Sequence, residues 1–364
     1  MEPLKRTPLF PEHEALKALI APFGGWEMPI QYPVGIIAEH RWCREQTALF
    51  DICHMGEFLY EGDLEAGGLE GVFTFSVKSI PVGRSRYGFL LNENGGVIDD
   101  LIVFRLAEEK AMVVVNAATI ANDFDTINSR LTGKANFTDI SDATAKLDLQ
   151  GPLARAVLTK FFGNELGTLP YFTFTETTIF GAKAIVSRTG YTGELGYEIF
   201  LPTKKVLELW NLFLSDERVK PAGLGARDLL RVEVGYSLYG SDIDEVTTPL
   251  EAGLSSFVNF NKEFIGKAAL LKQRDEGLKR IKVAFKVASR RSPRHHHTIL
   301  FEGENVGSVT SGAFSPMLGC GIGFGFVSPK VAVIGSPLTI QHDKVSMEAT
   351  VCDLPFYPGG SLRT

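Results

Sequence analysis

The chain has 364 residues, of which 45% are hydrophobic and 22% charged, and its formal net charge at pH 7 is −6. This length predicts a globular protein of two or three domains. The sequence has no basic block of five or more residues, no apolar run near the roughly 20 residues of a membrane span, and no targeting segment. We therefore expect a cytoplasmic protein that binds neither nucleic acid nor membrane.

The four cysteines, Cys43, Cys53, Cys320 and Cys352, are widely spaced and form no C-x-x-C pair. This pattern argues against a zinc site and against a disulfide scaffold, so we expect free thiols in a reducing compartment. The three consecutive histidines at 295–297 cannot all converge on one ion, and we expect no metal there.

The first part of the chain mixes helical and strand-like patterns. Helices are predicted at residues 12–21, 34–47, 63–74 and 117–131. Strands are predicted at 53–60, 86–91, 97–104 and 111–115, with 86–91 and 97–104 joined in a hairpin by a Gly-rich turn.

The middle of the chain repeats the order strand, glycine turn, strand, helix. Strands are predicted at 177–188 and 194–201, and helices at 203–214, 223–234 and 266–273. The repeat suggests two related α+β units.

After residue 278 the pattern changes to short strands broken by Gly, Pro and Ser. They are predicted at 280–288, 299–301, 306–310, 322–327, 337–340 and 345–351. This pattern predicts a small barrel-like C-terminal domain, with a boundary near 277–280.

The stretch GGVIDDLIVF places Asp99 and Asp100 side by side in an apolar strand. Successive strand side chains alternate between faces, so the two carboxylates point to opposite sides. An unpaired buried carboxylate is costly and tends to raise its own pKa. We expect Asp99 to bond backbone amides of the adjacent turn. For Asp100 a structural role and a ligand-facing role remain equally open.

Two further stretches could carry chemistry. SRTGYTGELGYEIF has three glycines spaced three residues apart, Gly190, Gly193 and Gly196. It is no phosphate loop, because it leads into a strand. In that strand we expect Glu198 to face solvent. PAGLGARDLLRVEVG lacks the third glycine of a dinucleotide fingerprint. In it, Arg227 and Asp228 could form a solvated pair, or Arg227 could bind a carboxylate.

Ten segments in family order resemble the aminomethyltransferase family, the T-protein of the glycine cleavage system. They are RTPLF, FGGWEMPIQY, ALFDICHMGEF, NENGGVIDDLIVF, VVNAATIANDF, LQGP, SRTGYTGELGYEIF, PAGLGARDLLRVEVGYSLYGSDIDEVTTPLEAGL, FIGKAAL and TSGAFSPMLG. The resemblance implies an α+β fold of three domains around a central folate cavity, the third a β-barrel or jelly roll. We expect residues 1–50 with 140–245 to form a folate-binding unit, 51–139 with 246–277 a second unit, and 278–364 the C-terminal domain.

The resemblance also implies the reaction and its participants. The family moves an aminomethyl group from the lipoyl arm of the H-protein to the cosubstrate tetrahydrofolate, giving methylenetetrahydrofolate, ammonia and the reduced lipoyl arm. It implies no metal and no flavin.

By the same resemblance, Asp100 matches the catalytic carboxylate. The positions that match folate contacts or their neighbours are Glu198, Arg227, Tyr87, Met55, Asn116, Val115 and Tyr197. Two departures stand out: Ser256 and then Phe257 follow GLS, where many relatives have Trp, and the C-terminus reads PFYPGGSLRT. Tyr357 or Arg363 is the expected substitute for the usual C-terminal folate contact.

Two alternatives share the folate-binding module. Flavin-dependent oxidases of sarcosine or dimethylglycine add a nucleotide-binding domain, whose length and fingerprint this chain lacks. A folate-binding protein of iron–sulfur assembly has the fold without transferase activity, but its cysteine-containing loop is replaced here by RTGYTGELGYE.

Overall fold

The computed structural model describes residues 3–362, with twenty strands and eight α-helices among them. The strands are β1 (Lys5–Arg6), β2 (Leu19–Phe23), β3 (Trp26–Gln31), β4 (Thr47–Asp51), β5 (Gly56–Glu61), β6 (Ser85–Leu91), β7 (Val97–Ala107), β8 (Lys110–Val115), β9 (Asn136–Asp139), β10 (Thr144–Gln150), β11 (Phe174–Ile179), β12 (Ala182–Ser187), β13 (Gly196–Pro202), β14 (Val219–Pro221), β15 (Ile281–Val287), β16 (Thr298–Phe301), β17 (Glu304–Ser315), β18 (Cys320–Val327), β19 (Pro337–His342) and β20 (Val345–Cys352). The helices are α1 (Phe10–Ala15), α2 (Ile36–Glu45), α3 (Ile120–Arg130), α4 (Ala154–Phe162), α5 (Asn164–Gly167), α6 (Val206–Leu214), α7 (Leu224–Val234) and α8 (Lys267–Glu276).

The strands form three sheets and one barrel. The strand orders are β1-β3-β2, β11-β12-β13-β10-β4-β14 and β6-β7-β8-β5-β9, and the barrel closes as β15-β18-β17-β16-β19-β20. The predicted fold class, two α+β units with a C-terminal β-barrel, is confirmed.

The six-stranded sheet has one apolar face and one face that carries charge. Leu147 and Leu149 of β10 and Ile199 of β13 pack in a core with helices α4 and α6. Because side chains alternate along a strand, Asp148 and Glu198 lie on the other face, and the register pairs them directly. That face therefore holds two carboxylates side by side.

The five-stranded sheet also has a face that carries charge, and this face is turned toward the charged face of the six-stranded sheet. Leu101 and Val103 of β7 lie in this sheet's own core, whereas Phe104 packs with Phe200 of β13, ring centroids 5.4 Å apart. Asp100 shares the strand face of Phe104. The two charged faces thus meet along a shared apolar cluster.

The barrel packs against α7 through Val232, Phe324 and Phe356, among others. Arg231 of α7 reinforces the contact, because its guanidinium binds Asp242 at 2.6 Å and Ser311 of β17 at 2.7 Å. All six strands predicted after residue 278 are present.

Two predicted helices are wrong. The helix expected at 12–21 ends at Ala15 because Lys17 adopts a φ of 57°, and the following residues form β2, which pairs with β3. Leu19, an apolar residue within the predicted helix, is 58% exposed. The helix expected at 63–74 is a turn with one 3₁₀ segment, Leu69–Gly71, because the Asp63 carboxylate accepts the amides of the next residues.

Smaller differences concern strands. Residues 177–188, predicted as one strand, form the hairpin β11–β12, which turns at Phe180 and Gly181 with φ of 50° and 73°. Seven strands were not predicted as strands: β1, β2, β3, β4, β9, β10 and β14. The four cysteines are free, as expected, and no helix within residues 3–362 is long and apolar enough to cross a membrane.

Candidate functional site

Asp100 lies between two fixed hydrogen-bond donors. The Tyr87 hydroxyl donates to Oδ2 at 2.9 Å and the Asn116 amide to Oδ1 at 2.9 Å. The side chain is half-buried, so it keeps access to the space between the sheets. Burial, assisted by the charge of Asp99, raises the pKa of Asp100 to about 7. A carboxyl group with this pKa can both accept and release a proton near neutral pH.

Asp99 is fully buried on the opposite face of β7, as alternation predicts. The prediction that it bonds the hairpin turn is wrong. The turn amides of Asn94 and Gly96 instead donate to the Asn92 side chain. Asp99 accepts the backbone N–H of Asn116 at 2.9 Å and its side-chain amide at 2.8 Å. It therefore fixes the residue that holds Asp100.

Glu198 is buried on β13, and the default of a solvent-facing carboxylate is wrong. Its Oε2 accepts the hydroxyl of Thr189, while Oε1 accepts no hydrogen bond from the described residues. Oε1 is not fully enclosed, although the residue as a whole is buried. Oε1 is therefore an available acceptor for a ligand.

Arg227, at the start of α7, extends toward the same face. Its guanidinium donates to Asp148 and lies 5.3 Å from the Tyr191 ring and 5.7 Å from the Phe50 ring. The pKa of Asp148 is raised to about 6 by burial, with Arg227 opposing the shift. Of the two readings open from the sequence, the structure supports the one in which Arg227 binds a carboxylate, and that carboxylate is Asp148.

Tyr191, from the Gly-rich loop, connects the two halves of the site. Burial raises the pKa of its hydroxyl, and the charges of Asp100 and Arg227 both act on it. Its ring stacks on Tyr236 with centroids 5.7 Å apart. Tyr87 packs edge-on against Phe257, with ring centroids 4.8 Å apart. Phe257, which departs from the family sequence, therefore lies next to the tyrosine that donates to Asp100.

Met55 lies beside a buried contact between Lys146 and Glu57. The Met55 sulfur accepts a hydrogen bond from the Lys146 ammonium at 3.2 Å, and the ammonium lies 3.9 Å from Glu57 Oε1. Burial raises the pKa of Glu57 to about 8.

Three other residues expected near a ligand have packing partners of their own, and their contact with a ligand stays a prediction. The Val115 and Tyr197 side chains pack in the cores of their own sheets, on strand faces opposite to those of Asp100 and Glu198. They adjoin the site through the backbone only. The ring of Tyr357 lies under the Arg44 guanidinium, 4.6 Å from it, and the Tyr357 backbone N–H donates to the Glu233 carbonyl. Neither contact involves Asp100. Arg363 lies outside the described residues.

Asp148, Lys146, Glu57 and Tyr191 were not singled out from the sequence. A signal for the first two was present, since the segment KLDLQ alternates polar residues with leucines. Recognising that strand would have placed Lys146, Asp148 and Gln150 on one face.

The histidines at 295–297 contact a backbone carbonyl and neighbouring rings. His295 binds the Thr310 carbonyl, and His297 stacks on His342 with ring centroids 4.4 Å apart. Within residues 3–362 no group of three or more His, Cys, Asp or Glu is arranged to hold a metal ion.

Comparisons with known proteins cover nearly the whole chain. The family model described as GCVT N-terminal domain matches residues 9–262, and that described as Glycine cleavage T-protein C-terminal barrel domain matches residues 280–358. The aminomethyltransferase of Halothermothrix orenii is 44% identical over 97% of this chain and 100% of its own length. That of Thermotoga petrophila is 41% identical over 99% and 100%. The crystal structure of glycine cleavage system aminomethyltransferase T from Bartonella henselae superposes with a TM-score of 0.92 at 34% identity, over 98% of this chain and 99% of that one.

Proposed function

The chain belongs to the aminomethyltransferases, the T-proteins of the glycine cleavage system, and we propose that it transfers the methylene of an aminomethyl group from the lipoyl arm of H-protein to tetrahydrofolate. The products are ammonia, the reduced lipoyl arm and 5,10-methylenetetrahydrofolate. The observation that carries the proposal is the placement of Asp100. It is held by Tyr87 and Asn116, and its charge, like that of Arg227, acts on the hydroxyl of Tyr191.

The residues present fit a reduced pterin. Its ring carries amino and N–H donors on one edge, and Glu198 offers an oxygen that accepts no hydrogen bond from the described residues. The flat ring suits the aromatic and thioether surfaces of Tyr191 and Met55. Arg227 keeps N–H groups beyond the one bound to Asp148, and these suit a carbonyl or carboxylate oxygen of the folate.

Asp100 supplies what the chemistry at the reacting carbon needs. The carbon–sulfur bond and the carbon–nitrogen bond to ammonia break, and two carbon–nitrogen bonds to folate form. The hydrogens of the two reacting folate nitrogens end on the lipoyl sulfur and on ammonia. Positive charge develops while the carbon is between partners, and a fixed carboxylate shielded from water stabilises it. With a pKa of about 7, the ionised Asp100 also accepts one of these protons and returns it.

The partner and the domain division are part of the same proposal. The aminomethyl group arrives on lipoylated H-protein, as the family assignment implies, and the enzyme acts in the cytoplasm without a metal or a flavin. We place the domains at residues 1–50 with 140–245, at 51–139 with 246–277, and at 278–364. Strands β4 and β10–β14 lie in one sheet and β5–β9 in another, which supports this division.

The direct test is ammonia release by the purified protein from aminomethyl-loaded H-protein. We expect release to depend on tetrahydrofolate and to produce one methylenetetrahydrofolate per ammonia. Release at an equal rate without the folate would contradict the proposal. Folate binding without transfer would favour the alternative of a non-catalytic folate-binding protein.

A further inference from the structure

The C-terminal tail, residues 357–362, is hydrogen-bonded to the Gly-rich loop, residues 188–195. The backbone N–H of Leu362 donates to the Gly193 carbonyl at 3.2 Å. The Leu362 carbonyl accepts a hydrogen bond from the Arg188 guanidinium at 2.9 Å. The tail is therefore attached to the loop near both of the loop's ends.

Ser361 makes three hydrogen bonds to the last two residues of the loop. Its hydroxyl accepts the backbone N–H of Leu195 at 3.0 Å and donates to Oε2 of Glu194. The backbone N–H of Ser361 donates to the same carboxylate oxygen at 2.8 Å. One serine thus holds both the main chain and a buried side chain of the loop.

The other oxygen of Glu194 leads to a buried arginine. Oε1 accepts the Arg44 guanidinium at 2.7 Å, and the same guanidinium donates to the Thr192 carbonyl at 2.8 Å. Both charged side chains are nearly inaccessible to solvent, and the Arg44 guanidinium also lies over the ring of Tyr357 in the tail. Buried, charge-assisted hydrogen bonds of this kind fix geometry strongly, so tail and loop are held as one unit.

The first half of the loop carries groups assigned above to the folate site. The Thr189 hydroxyl donates to Glu198, and the Tyr191 ring supplies an aromatic surface. From β10, the Gln150 amide donates to the Thr189 carbonyl at 3.0 Å and accepts the Thr192 hydroxyl at 2.7 Å. The loop is therefore bound by Gln150 in its first half and by the tail in its second.

Gly193 lies in close contact with the tail and with α7. A Cβ atom at Gly360 would lie 2.3 Å from the Gly193 carbonyl oxygen, and a Cβ atom at Gly193 would lie 2.3 Å from a methyl group of Val234. Gly193 also has a φ of 77°, which other residues rarely adopt. The second half of the loop is thus enclosed between α7 and the tail, and displacing the tail opens one side.

We propose that Ser361 and Gly360 are positioning residues for folate binding: by holding the second half of the Gly-rich loop, they fix the orientation of its first half, which receives the folate. The inference rests on the proposed function. A loop that is already ordered loses less conformational entropy when the ligand binds, so the contact with the tail raises affinity. Asp100 is not part of this set of contacts, and the rate of transfer from bound folate does not depend on it.

Two substitutions release the loop in different ways. Ser361→Ala removes the hydroxyl that holds Leu195 and Glu194. Gly360→Ala keeps that hydroxyl, but its methyl group collides with the Gly193 carbonyl and pushes the tail away. Ser346→Ala, at an exposed serine on β20 of the barrel, is the matched control.

The first readout is the steady-state kinetics of ammonia release with saturating H-protein. For Ser361→Ala and Gly360→Ala we expect KM for tetrahydrofolate to rise about fivefold and kcat to stay within about twofold of the wild type. The control variant should match the wild type in both constants. A fall in kcat with an unchanged KM, or a wild-type KM in both variants, would overturn the proposal.

The second readout needs no activity. In Ser361→Ala the Leu195 amide loses its acceptor, so its hydrogen exchange should accelerate at least about fivefold, while the amides of β13 exchange at wild-type rates. Calorimetric titration should show tetrahydrofolate binding weakened about fivefold in the same variant. Unchanged exchange or unchanged affinity would overturn the proposal. If exchange and affinity change as expected in a protein that releases no ammonia, the proposed transferase function fails and the positioning role stands.

Discussion

Asp148 lies directly opposite Glu198 across strands β10 and β13, and Arg227 binds Asp148 and not Glu198. One of two adjacent carboxylates is thus neutralised by a cation, and the other keeps a free oxygen. The arrangement assigns different tasks to the pair: Asp148 holds Arg227 in place, and Glu198 receives the ligand.

Replacing Asp148 should weaken folate binding more than catalysis. In Asp148→Asn the guanidinium of Arg227 loses its ionic partner and turns to Glu198, so the acceptor assigned to the pterin becomes occupied. We expect KM for tetrahydrofolate to rise about tenfold with a smaller change in kcat. Steady-state kinetics of ammonia release measure both constants, and Glu176→Gln on exposed β11 is the control. A fall in kcat alone would contradict this assignment.

Glu198→Gln should damage recognition of the pterin directly. The substituted amide can present N–H groups toward the ring's own donors, which leaves polar groups unpaired in a buried site. We expect tetrahydrofolate to bind at least about tenfold more weakly, while thermal stability stays close to that of the wild type. Calorimetric titration with the folate measures the change. Unaltered affinity would remove Glu198 from the folate site.

Tyr87→Phe should shift the pH dependence of the reaction. The hydroxyl of Tyr87 donates to ionised Asp100 and thereby lowers the pKa of that carboxyl, against the larger effect of burial. Without this donor the pKa of Asp100 rises above about 7, so the acid limb of kcat/KM should move up by about one pH unit. Activity should fall near neutral pH and recover in more alkaline buffer.

The control for this shift is Tyr197→Phe, which removes a hydroxyl bound to the Gly167 carbonyl in the core of the other sheet. It should leave the acid limb in place. A Tyr87→Phe profile that loses amplitude at every pH without moving its midpoint would mean that the hydroxyl acts only on packing.

Glu57 should make the stability of the fold depend on pH. Burial raises its pKa in the folded state to about 8, above the value for an unfolded chain, so its contribution is complete at low pH and is lost as pH rises through about 8. In Glu57→Gln this component is absent. Between about pH 5 and 9 the free energy of unfolding of the wild type should therefore fall by several kcal/mol more than that of the variant, at about 1.4 kcal/mol per pKa unit.

Urea unfolding at a series of pH values measures this difference. Glu61→Gln, on the same strand but with a side chain that is 44% exposed, is the control and should follow the wild type. Parallel curves for wild type and Glu57→Gln would show that Glu57 is ionised in the folded protein across the range.

Strands that follow strict alternation or clear turn signals were predictable from the sequence. Asparagine and glycine mark the turn before β7, and the alternation of β7 separates Asp99 from Asp100. The barrel strands are likewise bounded by Gly, Pro and Ser. The helix expected at 12–21 failed because an apolar stripe does not reveal whether it will be buried, and Leu19 is exposed.

The contacts that build the site depend on tertiary structure. The sequence could not show that Asp99 bonds Asn116, 17 residues away, or that Arg227 reaches Asp148, 79 residues away. Local patterns indicated which residues carry charge in apolar surroundings, and the fold determines which of them become partners.

The most direct test of the account is the Asp100→Asn variant, assayed for folate affinity and for ammonia release in single-turnover reactions with aminomethyl-loaded H-protein. The amide preserves the size of the side chain and can still accept the Tyr87 hydroxyl, but it carries no charge and takes no proton. We predict tetrahydrofolate affinity within about threefold of the wild type and ammonia release slowed by at least about a hundredfold. Wild-type release rates with folate bound would contradict the role of Asp100.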